Sequence, residues 1–332
     1  MRRAIAPAAK RLVAWTALLV LFALAQSCDL LSSNSGPTFH QQFALTVTAS
    51  AGGTTAPSGA LTVSDSTPTS LQAVPSSGFS FVCWIVERGT AQVQGTFTAT
   101  TTVSVSSGDV MIKALFAHTS SSIPSGSLAS YPLDGTVADS SGNGNTGTAF
   151  ATTTAADRFG VPGGAAFFSG GDAYIQTVPA AAIPASLSVS LWACPTALGR
   201  QIWGSINNPS GSKNGWATFL GTDGSVSVQR YSANAGSNVV ATPVDQLPLN
   251  QWTHLTFTFD GSTGSTAIYV NGTQEASGTL SILTNSNDIP LTLGISLLLQ
   301  SYYFYSGGMD SVRIYSRALS NSEVYDLYTN GG

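Results

Sequence analysis

Few side chains in this sequence are equipped for chemistry, and their spacing narrows what that chemistry could be. There are three glutamates, Glu87, Glu275 and Glu323. No strand-like run displays alternating Asp or Glu, so the two close carboxylates that glycoside hydrolysis needs are not signalled. A Ser/His/Asp triad would have to use His254, and no G-x-S-x-G elbow accompanies it. His40, His118 and His254 lie far apart, and Cys28, Cys83 and Cys194 are equally scattered, so no zinc-type cluster is spelled out. What remains is binding chemistry. Asp134, Asp139, Asn143 and Asn145 crowd the Gly/Ser-rich stretch DGTVADSSGNGN. Carboxylate and amide oxygens of this kind suit a hard cation such as Ca²⁺, which takes roughly six to eight oxygens. They equally suit a plain turn, where Asp and Asn bond their own backbone. The densest aromatic run is Tyr302-Tyr303-Phe304-Tyr305. On a strand Tyr303 and Tyr305 would face opposite to Tyr302 and Phe304, leaving one pair for the core and one for the surface. Beside Trp203 and Tyr231, the pair Tyr303 and Tyr305 forms the candidate ligand face, with Asn207 and Asn208 nearby. Core packing plus ordinary surface tyrosine is the competing account.

Composition excludes several classes. Charged residues make up 8% of the 332 residues against 43% hydrophobic, and the net charge is −4. Four of the twelve basic residues (Arg2, Arg3, Lys10, Arg11) fall in the first eleven positions, so the remainder is more acidic still. A nucleic-acid partner, which needs clustered Lys and Arg, is excluded. So are coiled coils and helical solenoids. Thirty-four glycines with abundant Ser and Thr point to an extracytoplasmic all-β protein.

The elements that must position these groups are short strands. Arg2–Arg11 is basic, and Leu12–Ala25 is uniformly apolar. As a helix that apolar run spans about 21 Å, short of the roughly 30 Å hydrocarbon core, which is the build of a signal peptide. Residues 28–42 then read as a tether. Residues 43–117 are β-runs punctuated by Gly52-Gly53, Pro57, Ser76-Ser77-Gly78 and Ser107-Gly108. Trp84 and Phe79 are expected as core anchors there. Residues 118–127 form a polar linker, and 128–332 one long β-rich run, enough for a many-stranded jelly roll. Asp223-Gly224 and Asn271-Gly272 mark tight hairpins. In the run from Trp252, Leu255, Phe257 and Phe259 share the core face, and His254, Thr256 and Thr258 the other. Ser320-Asn-Ser-Glu323 spells a capping box, with Val324, Leu327 and Tyr328 as the buried stripe of a C-terminal helix.

Three stretches also carry family resemblances. Leu24-Ala25-Gln26-Ser27-Cys28 resembles a bacterial lipoprotein signal, although Gln26 departs from the usual residue; it implies lipidation of Cys28 after removal of residues 1–27 and an envelope location, outer membrane or cell surface. LTVTASAGGTTAPSG, AVPSSGFSFVCWIV and TTVSVSSGDVMIKALF resemble a divergent B-repeat domain, a small β-fold used as a spacer. Finally, ASYPLDGTVADSSGNGNTG, DRFGVPGGAAFFSGGDAYIQ, SLSVSLWAC, QWTHLTFTFDGSTGSTAIYVNG and GGMDSVRIYSRALSNSEVYDLY resemble, in this order, a laminin-G-like, concanavalin A-like jelly roll. That resemblance implies a calcium at the sandwich rim, here at Asp139, Asn143 and Asp310, and framework roles for Trp192, Trp216 and Trp252. The fold class expected is all-β, a concanavalin A-like jelly-roll sandwich preceded by a small β-repeat domain. The function expected is non-catalytic binding of carbohydrate or a surface glycoprotein by a lipid-anchored protein. The alternative is a structural or protein–protein adhesion module without sugar affinity.

Overall fold

A computed structural model of the chain describes residues 40–119, 123–179, 184–207, 214–232, 236–281, 290–295 and 303–330. Cys28 and the apolar leader lie outside them. The N-terminal sheet is built from β1 (Gln42–Ala49), β2 (Gly53–Ala56), β3 (Gly59–Ser64), β4 (Thr69–Pro75), β5 (Phe79–Val93) and β6 (Thr100–His118). Its order is β2-β4-β6-β1-β3, with β5 also pairing β6. Alternation works as the pattern demands: Phe43, Leu45 and Val47 of β1 point inward beside Ile112, Ala114 and Phe116 of β6. Trp84 is 1% exposed in this core, and its indole N–H donates to the Thr98 carbonyl at 3.0 Å. A buried tryptophan with its polar end satisfied is the anchor the sequence pointed to.

The C-terminal part is a sandwich of two sheets. One contains β7 (Ser127–Tyr131), β9 (Thr153–Ala155), β10 (Ala165–Ser169), β12 (Leu187–Pro195), β17 (Thr253–Phe259), β18 (Ser265–Val270), β19 (Thr273–Thr279) and β21 (Ser306–Tyr315). The other contains β8 (Thr148–Phe150), β11 (Tyr174–Gln176), β13 (Arg200–Asn207), β14 (Asn214–Leu220), β15 (Val226–Ser232), β16 (Gly236–Ala241) and β20 (Thr292–Leu293). Between them Leu255, Phe257 and Phe259 of β17 meet Trp203, Trp216 and Val228. Both expected hairpins form. Gly224 has φ 75° in the longer loop 221–225 between β14 and β15, while Asn271 and Gly272 have φ 49° and 78° between β18 and β19, the left-handed backbone that a two-residue turn requires.

The chain ends in α1 (Asn321–Asn330), with Val324, Leu327 and Tyr328 buried. The capping box is present: the Ser320 amide donates to Glu323 Oε2 at 2.9 Å, and the Glu323 amide to Ser320 Oγ at 3.4 Å. Arg317 adds a two-pronged bond to Glu323 at 2.8 and 2.6 Å. Pairing with Arg317 lowers the Glu323 carboxyl to about 2. A depressed acid stabilises the fold above its unfolded value, and that stabilisation fades as pH falls toward 2. Ser320→Ala is therefore expected to cost about 1 kcal/mol. Glu323→Gln should lower Tm at neutral pH and converge with wild type in acid, as followed by circular dichroism.

The two β-rich parts are not separated by a free hinge; Gln42–Gly332 forms one compact unit. Cys83, Ile85 and Leu115 of the N-terminal sheet pack into one cluster with Trp192, Trp252 and Tyr328. Main chain crosses the seam too. The Val86 amide donates to the Arg158 carbonyl at 3.3 Å, the Trp252 amide donates to the Glu87 carbonyl at 3.1 Å, and Arg88 bridges Gln251. Tyr325 Oη donates to the Ala51 carbonyl at 3.0 Å. The spacer expected from the resemblance is thus a docked partner whose apolar outer face finds cover on the sandwich. Cys83 and Cys194 both border this cluster and are free thiols.

Candidate carbohydrate-binding face

The docked domain and α1 together cover the outer face of the sheet that holds β17. Every residue of β17 is buried, on both faces. On its outward side His254 is covered by the rings of Trp192 and Tyr328, at 5.3 and 5.8 Å between centroids. Burial, with Arg158 and Arg313 adding to it, lowers His254 to about 3, so the ring is neutral. Its Nε2 pairs with Ser190 Oγ at 2.9 Å, and Nδ1 has no partner. No carboxylate orients this histidine, so it is a core residue rather than a base. The glutamates lie in three separate places: Glu87 pairs with Lys113 at the seam, Glu323 caps α1, and Glu275 sits in β19.

On the outward side of the other sheet Gln201, Ser205 and Ala217 are buried, and partly exposed side chains gather at the end of β14 and along β15. In β15 Val226, Val228 and Arg230 turn inward, and Ser227, Gln229 and Tyr231 are half-buried on the outside. Tyr231 Oη donates to Gln229 Oε1 at 2.7 Å, which pins both side chains. Tyr303 is 44% exposed, and its ring meets Phe219 edge-on at 6.0 Å. Tyr231 is pushed above its ordinary value by burial and by the nearness of Tyr303. Tyr303 and Tyr231 are therefore brought together, with Phe219 between β13 and β15 as the aromatic that sequence reasoning missed. Its signal was the alternation of β14, where Trp216 and Leu220 face the core. The Gln201 amide donates to the Tyr303 carbonyl at 2.7 Å and fixes that residue to the edge of β13. Next to it lies an open cleft of about 410 Å³ lined by Ser169, Gly170, Gly171, Arg200, Phe304 and Ser306.

The other expected ligand residues are corrected. Trp203 is 1% and Tyr305 0% exposed, so neither can stack on a ligand. The β13–β14 register shifts between Gln201 and Gly204, and Ile202 and Trp203 both enter the core. Tyr305 precedes the start of β21, so strand alternation does not link it to Tyr303; its ring packs on Phe168, and its hydroxyl donates to the Gly308 carbonyl at 3.0 Å. Tyr302 and Asn208, and the side chain of Asn207, lie outside the described residues.

The expected calcium residues do not fit a cation. Asp139 Oδ1 accepts from the Ser130 and Ser141 amides, each at 2.9 Å, and Oδ2 from the Asn145 amide at 2.9 Å. Burial raises this carboxyl, but hydrogen bonds from Ser141, Ser130 and Asn145 outweigh it and hold the group below its ordinary value. Asn143 spends its amide N–H groups on the Ser127 and Leu128 carbonyls at 2.8 and 3.2 Å. Asp310 is 3% exposed and ion-paired with Arg158. The loop is a self-bonded turn, and the second carboxylate, Asp310, belongs to another network.

Residues 169–325 match the concanavalin A-like lectin/glucanases superfamily. That match covers most of the sandwich. Residues 43–120 match the divergent InlB B-repeat domain, which sits as its docked companion. Among solved structures the chain is similar to domain 4 of an extracellular arabinanase from Geobacillus stearothermophilus, in complex with arabinotriose. Identity is 25% and the TM-score 0.50, covering 61% of this chain and 98% of that one. A botulinum neurotoxin type C structure, described as entering cells through interaction with two ganglioside molecules, shares the fold at 15% identity and TM-score 0.50. It covers 62% of this chain and 51% of that one. No curated protein matches. The concanavalin A-like sandwich is a binding-type jelly roll, all-β apart from α1 among the described residues.

Proposed function

We propose that this protein is a non-catalytic carbohydrate-binding module, presented from the bacterial envelope by a lipid on Cys28. The observation that carries the reading is the aromatic patch at β14 and β15, where Tyr303, Phe219 and Tyr231 stand beside Gln229 and a polar cleft. Aromatic rings cover the CH face of a sugar, and a few fixed polar groups orient its hydroxyls. The arabinotriose complex of the similar arabinanase domain supports a short neutral oligosaccharide as the ligand class.

Calorimetry with arabinotriose and a glycan array, on residues 29–332, tests this reading. Tyr303→Ala should weaken binding about tenfold, from the loss of roughly 1.4 kcal/mol of ring contact. Binding to no glycan, or equal affinity for wild type and Tyr303→Ala, would favour a protein–protein adhesion module instead. The anchor is tested apart from the ligand: Cys28→Ser should move the protein from the membrane fraction to the soluble one, because several acyl chains are needed for durable attachment.

A further inference from the structure

The rings of Tyr303 and Phe219 stand at one end of a longer row. The second sheet ends in the order β13-β14-β15-β16, so β16 is its edge strand. Side chains opposite one another in a ladder share a face. Phe219 of β14 stands opposite Ser227 of β15, which stands opposite Ala241 of β16. Beside them Ala217 stands opposite Gln229, and Gln229 opposite Val239. These residues point outward, because Val226, Val228 and Val240 between them enter the core. Exposure rises along the row: Ala217 is buried, Phe219, Ser227 and Gln229 are half-buried, and Val239 and Ala241 are exposed, Val239 at 50%. Tyr303 is fixed to the edge of β13 by the Gln201 amide. Neighbouring strands lie about 4.8 Å apart, so the row from there to Val239 is about 14 Å long.

Its chemistry is uniform in one respect. The strands β14, β15 and β16 contain one charged residue, Arg230, and it turns inward, 0% exposed, with its guanidinium 4.1 Å from the Trp216 ring. An edge strand is commonly blunted by outward charge that keeps other strands away. β16 (GSNVVA) has none and shows an exposed valine and alanine instead. In the middle of the row, Gln229 Oε1 is held by the Tyr231 hydroxyl at 2.7 Å, which leaves the amide N–H groups of Gln229 as donors. Aromatic, polar and apolar contacts thus follow one another from β13 to β16.

We propose that the ligand is a neutral sugar chain laid across these strands, an inference that rests on the carbohydrate-binding reading above. The chain stacks on Tyr303 and Phe219, accepts a hydrogen bond from Gln229 through a hydroxyl, meets Ser227, and leaves the protein over Val239. A row of this length is filled by several sugar units, and its exposed end at the sheet edge lets the chain continue. The substrate class is therefore an uncharged polysaccharide rather than a monosaccharide or an acidic glycan.

Calorimetry on the intact protein tests this with arabino-oligosaccharides and cello-oligosaccharides of two, three and five units, and with a five-unit oligogalacturonate as the acidic probe. In at least one neutral series affinity is expected to rise about tenfold from two units to five, the worth of a few added contacts. Val239→Asp should cut that ratio to about twofold, since a carboxylate cannot replace the burial of an apolar side chain. The variant should keep its Tm, because outward charge on an edge strand is tolerated. Equal affinity for two and five units, a ratio that Val239→Asp leaves unchanged, or tighter binding of the oligogalacturonate overturns the row. If Tyr303→Ala still weakens binding in those cases, the proposed function stands without it. Binding to neither neutral series overturns the row, and only an equally blank glycan array removes the proposed function as well.

Discussion

Arg158→Ala is expected to destabilise the protein by about 3–5 kcal/mol at neutral pH, because it leaves the Asp310 carboxylate buried without its cation. Asp310 sits in β21 opposite Trp192 of β12, 3% exposed, and burial raises its carboxyl to about 6 even with Arg158 pulling it down. A raised acid holds its proton more tightly in the folded state than in the unfolded one. The native state is therefore penalised above pH 6, and the penalty is relieved as pH falls from about 6 toward the ordinary value of 3.8. Without Arg158 the carboxyl rises further, so the gap between variant and wild type should narrow in acid. Urea unfolding from about pH 8 to about pH 4 measures this. A loss below about 1 kcal/mol, the worth of a surface pair, or a gap that does not change with pH, would show that Asp310 does not depend on Arg158. The double variant Arg158→Met with Asp310→Leu should recover most of the loss, since neither charge is then left behind.

The second large effect is removal of the N-terminal β domain. A chain starting at Ile123 uncovers Trp192, Trp252 and Tyr328, which are 1%, 8% and 4% exposed when Cys83, Ile85 and Leu115 cover them. Each large apolar side chain returned to water costs about 1.5–3 kcal/mol. The truncated sandwich should melt well below the intact protein, bind an apolar dye and self-associate, as an exposed apolar patch does. Residues 40–332 should instead unfold in one calorimetric transition. Two separate transitions in the intact protein, or an unchanged Tm and a monomeric truncated chain, would mean that the seam contributes little.

Features written in neighbouring residues were legible in advance. Asp223-Gly224 and Asn271-Gly272 specify hairpins because the turn needs left-handed backbone at named positions. Ser320 and Glu323 specify a helix start because their partners are amides three residues away. The inward set Leu255, Phe257 and Phe259 follows from a period of two. The same alternation said nothing of what would cover the other side of β17, where His254, Thr256 and Thr258 are buried at 2%, 0% and 5%. Nor could it anticipate the irregularity in β13 that takes Trp203 into the core.

By itself, then, the sequence determined the all-β class, the two domains and their turns and cap, because those depend on local backbone preference and on short-period burial. Only the tertiary structure decided the fate of the candidate site residues. Asp310 meets a guanidinium 152 positions away. Tyr303 joins Phe219 and Tyr231 from strands that pairing brings beside it. The docked domain and α1 together cover one sheet, while the other keeps partly exposed side chains along β15. Each of these is a contact between distant segments, set by how surfaces pack and which charges must be neutralised, and no spacing along the chain encodes that choice.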